Sequence, residues 1–171
     1  VGGQLNDEPT AIAWDASRHQ VYLVGTVNEG SQSNLVGVVR LDDSANPDGT
    51  FSGDGRMTLH FPGTPATAFD FPLAVAVQSD GKALVVGFHT DFATPNYDVG
   101  VARLTGAGNL DPTFDTDGRN LVAFDLGGDL TDVPADITLA DGRPLVGLSV
   151  RDSANHSVPD LFRLWNPLIF R

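Results

Sequence analysis

Residues 111–124 read DPTFDTDGRNLVAF, and residues 48–61 read DGTFSGDGRMTLHF. The two stretches share Asp, Thr-Phe, Asp-Gly-Arg and the closing Phe, at a spacing of 63 residues. A polar turn followed by a short apolar run, returning once in sixty-odd residues, marks a chain built from copies of one structural unit.

Three further landmarks recur with it. An Asp-x-Pro lead-in occurs at Asp7 and Pro9, Asp70 and Pro72, and Asp132 and Pro134. The runs behind it, TAIAW (10–14), LAVAV (73–77) and ADITL (135–139), alternate as strands with two differently packed faces do. A turn and a nearly unbroken apolar run ending in Gly follow: VYLVG (21–25), ALVVG (83–87) and PLVG (144–147). The turns SDGK and ADGR of copies two and three are tight-hairpin signals, and ASRHQ of copy one predicts a different turn. Unalternating apolar runs predict strands covered on both faces. Last come LVGVVRL (35–41), DVGVARL (98–104) and PDLFRLW (159–165), with Arg40, Arg103 and Arg163 at one place.

Each unit thus reads as four short strands in meander order. A four-stranded sheet apolar on both sides needs neighbours, and radial repetition of such sheets is a β-propeller. A sandwich of about a hundred residues per domain would not give a repeat of this length. The expected fold is all-β: antiparallel four-stranded propeller blades, about 2.75 repeats forming a partial ring. Residues 1–63 form blade 1, 64–125 blade 2, and 126–171 a blade 3 lacking its fourth strand. Val1-Gly2-Gly3 matches Leu126-Gly127-Gly128, the segment after a fourth strand, so further blades are expected in cis or in trans.

Composition agrees with strands and turns. Of 22 acidic residues only Glu8 and Glu29 are Glu; the rest are Asp, a turn former, beside 19 Gly and 11 Pro. A formal charge of −12 argues against nucleic acid as a partner. There is no Cys, hence no disulfide or thiolate site, and no apolar stretch nears the roughly 20 residues of a membrane span.

Chemistry-bearing residues are sparse. Asp111, Asp115 and Asp117 offer carboxylates to calcium, with Asp48, Ser52 and Asp54 as their echo, but the spacing is not that of an EF-hand. The plainer reading is a structural turn with Phe51 and Phe114 plugging the space between blades. Each recurring Arg is expected to pair with an Asp of the Asp-x-Pro lead-in. His19, His60, His89 and His156 share no repeat position and read as surface loop residues. Trp14-Asp15 reads as a core tryptophan followed by a turn.

The run SDGKALVVGF…YDVGVARLTGAGNLDPTFDTDGR (79–119) closely resembles the delta-60 repeat of bacterial secreted and surface proteins. That pattern has a DGK turn, a V-x-G strand, an aromatic-D-x-x-x-x-R-L strand and an L-D-x-x-F-x-x-x-G turn. Copy one lacks the DGK turn, and copy three ends before the L-D-x-x-F segment. The resemblance implies a propeller in an extracytoplasmic bacterial protein and assigns no catalytic residues. The functional expectation is a non-catalytic binding or scaffold module offering loops to a protein or glycan partner. Loops 28–34 (NEGSQSN) and 90–96 (TDFATPN) differ enough to make specificity particular to each blade. One alternative is a structural subunit completed by blades in trans. Another is a polysaccharide hydrolase or lyase, with Asp7, Asp70 and Asp132 brought around one axis.

Overall fold

The computed structural model describes residues 7–28, 34–62, 68–91, 96–124, 127–154, 156–164 and 169–170. The strands are β1 (Glu8–Asp15), β2 (Gln20–Asn28), β3 (Asn34–Leu41), β4 (Arg56–Leu59), β5 (Ala68–Val77), β6 (Ala83–Asp91), β7 (Tyr97–Leu104), β8 (Arg119–Val122), β9 (Gly127–Ala140), β10 (Arg143–Asp152), β11 (Ser157–Leu164) and β12 (Ile169–Phe170). No helix occurs among the described residues. Strands pair antiparallel within each unit, and single parallel bridges, Asn34 to Phe69 and Tyr97 to Thr131, link one unit to the next. The chain is all-β, an open curled sheet forming a partial propeller. Blade 3 lacks the sequence motif of a fourth strand, yet the two residues of β12 pair with β11 at that edge. Val1-Gly2-Gly3 and Leu126 lie outside the described residues.

The apolar runs pack as their pattern predicts. In β6, Ala83 and Val85 join a core shared with blade 1, where Tyr22, Val24, Val36, Val38 and Phe51 lie. Leu84 and Val86, on the opposite face, join a second core with Ile137, Val146, Leu148 and Phe162 of blade 3. Blade 2 is therefore the middle layer of three, and its strands are continuous apolar runs for that reason.

The outward faces of blades 1 and 3 differ. Blade 1 exposes Ile12 by 68% and Trp14 by 53%, so Trp14 is a surface residue and not the core tryptophan expected from the sequence. Blade 3 carries exposed Asp136 and Thr138 where blade 2 has buried Ala74 and Ala76, so its outward face is more polar than the repeat pattern implies.

Each first strand carries a bulge after its proline, at Thr10, Leu73 and Ala135. Gly25 and Gly87 lie opposite Pro9 and Pro72, and an added Cβ would come within 2.8 and 2.7 Å of the proline Cα atoms. Gly147 is not their equivalent. The chain from Gly142 to Gly147 is one residue shorter than from Gly81 to Gly87, so Leu148 faces Pro134 and Gly147 has open space.

Candidate functional site

The threonine and arginine bonds of the repeated turn are duplicated. Asp48 Oδ1 accepts from the Thr50 amide (3.0 Å) and hydroxyl (2.7 Å), and Asp111 Oδ1 from those of Thr113 (3.0 and 2.8 Å). The other oxygen accepts from Arg40 Nε (3.0 Å) or Arg103 Nε (2.7 Å). Each guanidinium also sits over the phenylalanine of its turn, 4.9 Å from the Phe51 ring centre and 5.0 Å from that of Phe114. The arginines thus pair with the Asp eight residues on, not with the Asp-x-Pro aspartate. The turn folds back onto the end of its own strand and sets its own carboxylate against the guanidinium. Arg40 also donates to the Gly106 carbonyl and Ser52 N to Ala107 O (2.8 Å), tying the turn of blade 1 to blade 2.

These bonds place the proposed calcium ligands. Asp111 is buried and bonded to Arg103, Thr113 and Lys82 (Nζ at 3.1 Å). Asp117 is held by Arg119 (2.6 Å), and Asp115 occupies a left-handed turn position with φ of 50°. The structure does not bring the three together: among the described residues no group of three or more His, Cys, Asp or Glu is arranged to hold a metal ion.

The Asp-x-Pro aspartates do other work. Asp70 is fully buried and accepts from the Phe61 amide (3.2 Å), closing the crossover from β4 to β5. Asp132 accepts from the Phe124 amide at 2.5 Å in the same way. Asp7 accepts from the Asn28 amide (3.4 Å). Asp70 has two more partners, His60 Nδ1 at 2.7 Å and His89 Nδ1 at 2.8 Å. His89 lies in β6 and is buried; it is not a surface loop residue. This cluster had no sequence signal, because 29 residues separate the histidines and neither recurs. A carboxylate that orients imidazoles is a component of catalytic and metal sites. Here its third bond goes to the chain crossover.

Beside the cluster, Phe71 stacks on Phe88 (4.8 Å between ring centres), and Tyr97 follows at 5.3 Å. Phe71 also borders an open pocket of about 250 Å³ between blades 1 and 2, lined by Glu8, Thr26, Asn28 and Asn34. Four polar residues and one aromatic residue thus line one cavity. Most of the two loops singled out in the sequence, residues 29–33 and 92–95, lies outside the described residues. A comparison with protein-family models finds no match, and a search of curated proteins finds none either.

Proposed function

We propose that the chain is a non-catalytic binding or scaffold module of an extracytoplasmic bacterial propeller, offering one edge to a protein or glycan partner. The observation that carries this reading is the pocket of Glu8, Thr26, Asn28, Asn34 and Phe71. Its hydroxyl, amide and carboxylate groups suit sugar hydroxyls, and an aromatic ring suits the apolar face of a pyranose. The lead-in aspartates favoured for a hydrolase are instead engaged by backbone amides, and Asp70 and Asp132 are buried.

The test is a glycan array probed with the labelled full chain, alongside a Phe71→Ala variant. Retention on a defined neutral glycan, lost in the variant, is the expected result. Release of reducing ends or unsaturated sugars from a polysaccharide overturns the non-catalytic reading. Equal binding by both proteins removes the pocket from it.

A further inference from the structure

The chain contains five Asp-Gly pairs, beginning at Asp48, Asp54, Asp80, Asp117 and Asp141. Four of them are built alike. The carboxylate Oδ1 accepts from the amide two residues on: Thr50 for Asp48 (3.0 Å), Arg56 for Asp54 (2.9 Å), Lys82 for Asp80 (3.1 Å) and Arg119 for Asp117 (3.0 Å). At three of these the glycine is buried as well, and a backbone carbonyl takes its N–H. Gly55 donates to Phe51 (2.8 Å), Gly81 to Gln78 (2.9 Å) and Gly118 to Phe114 (2.9 Å). Asp48 lacks that second bond, but the Thr50 hydroxyl, Arg40 and Gln20 also hold its carboxylate.

Asp141-Gly142 has none of these restraints. The pair forms the two-residue turn between β9 and β10, and both residues are exposed. Both are left-handed, with φ of 53° and 73°, as such a hairpin turn requires. Among the described residues no donor reaches the Asp141 carboxylate and no acceptor takes the Gly142 N–H. A Cβ added at Gly142 would meet nothing within 4 Å, whereas at Gly55, Gly81 and Gly118 it would meet atoms at 2.7 to 2.8 Å. The sequence does not distinguish the pair, because Asp54, Asp117 and Asp141 all open the same tripeptide, Asp-Gly-Arg. The difference lies in how each turn is held.

We propose that Asp141-Gly142 is a site of spontaneous covalent modification, the one Asp-Gly pair of the folded chain that converts readily to isoaspartate. The Gly142 nitrogen attacks Cγ of the protonated Asp141 carboxyl and forms a C–N bond. The hydroxyl leaves with the amide proton as water, which closes a five-membered succinimide. Water then reopens the ring at either carbonyl and gives back aspartate or its β-linked isomer, at unchanged mass. Ring closure swings the glycine nitrogen onto Cγ, a movement that the bonded turns resist and the exposed hairpin tip permits. The β-linked product inserts a methylene between Ala140 and Arg143, the pair that closes the β9–β10 ladder. It also lies beside the Gly142 carbonyl, which accepts from Gln78 Nε2 of blade 2 at 3.2 Å. The inference rests on the hairpin alone and is independent of the glycan pocket.

The test holds the purified full chain at mildly acidic pH for weeks and digests it. Isomeric peptides of equal mass are then separated by chromatography and assigned by electron-transfer fragmentation. Isoaspartate is expected at residue 141 at least roughly tenfold faster than at the other four pairs, each of which must first open its bonded turn. Asp141→Glu, whose longer side chain would have to close a six-membered ring, should remove the signal at 141 and leave the other four sites unchanged. In urea, where no turn is held, the five pairs are expected to convert at similar rates. Another Asp-Gly pair converting as fast as 141 in the folded chain overturns the proposal. So does a folded chain that forms no isoaspartate at 141, or a preference for 141 that persists in urea.

Discussion

The two blade junctions share a parallel bridge and an amide-to-carboxylate bond, and differ in what fills the space around that bond. In both, the amide of the phenylalanine that follows the fourth strand donates to the buried aspartate of the next blade. At the first junction that aspartate also accepts from His60 and His89, and the ring sits on Gly100. At the second, Ala123 and Val150 stand where the histidines were, Asp160 takes the place of Gly100, and the Phe124 ring packs on Phe162 at 4.9 Å between centres. The repeat therefore preserves a backbone-to-carboxylate lock and lets the filling of the space vary. A crossover between blades leaves an amide beyond the last ladder bond, and burying it without a partner is costly. The apolar volume beside it has many solutions.

The largest expected effect comes from removing the lock that also holds two imidazoles. Asp70→Ala leaves two buried or half-buried imidazoles and the Phe61 amide without their acceptor, and a loss of about 3–5 kcal/mol is expected. Asp132→Ala, with no histidine at either equivalent position, is expected to cost about 1–3 kcal/mol. Urea denaturation of both variants measures the difference. Equal losses would mean that the histidines add nothing and that the amide bond alone sets the strength of a junction.

A smaller effect separates the glycines of the second strands. An alanine at Gly87 places its Cβ 2.7 Å from the Pro72 Cα, a backbone atom that moves only with the bulge, so about 1–3 kcal/mol should be lost. Gly147 has no atom within 4 Å, and Gly147→Ala should be neutral or stabilising by up to about 1 kcal/mol. Thermal melts decide. A destabilised Gly147→Ala would show that blade 3 shares the register of blade 2 after all.

Which of these features could be read from the residues follows from how local each one is. The repeat, the meander order and the doubly covered strands were legible, because runs such as ALVVG encode burial directly. The register of Gly147 is also encoded, in the one-residue shortening after Asp141-Gly142, but the Val-Gly pair common to all three copies masks it. The partner of Arg103 depends on how the turn curls, and two aspartates satisfied the pattern equally. The His60–Asp70–His89 cluster needs the crossover and the β5–β6 register together, and the pocket at Phe71 needs two blades at once. The exposure of Trp14 has a similar cause: an apolar residue at a repeat position is buried only if the next layer is present.

The smallest effect concerns the turns, where the partner of the buried aspartate is neutral in blade 1 and charged in blade 2. Gln20 Nε2 donates to Asp48 at 2.9 Å, and Lys82 Nζ takes the equivalent place on Asp111 at 3.1 Å. For Asp111, burial alone would raise the pKa. It is outweighed by bonds from the Thr113 hydroxyl and amide, by Lys82 and by the charge of Arg103, and the carboxyl falls from 3.8 to about 2. For Asp48 the Thr50 hydroxyl is the leading cause, with the Thr50 amide and Arg40 helping it against burial, and its pKa is also lowered. A carboxyl with a depressed folded pKa binds its proton more readily when the chain is unfolded. Its stabilisation is therefore complete above about pH 4 and is lost as the pH falls towards 2. On the order of 1–2 kcal/mol is expected from Asp111 after allowing for solvent screening. Asp111→Asn should flatten that part of the acid limb in a series of urea melts between pH 5 and 2. Lys82→Gln, which gives Asp111 the neutral side-chain partner that Asp48 has, should change stability by about 0–1 kcal/mol. An acid limb that Asp111→Asn leaves untouched would place the acid-sensitive contact elsewhere, and the two turns would then be equivalent despite the lysine.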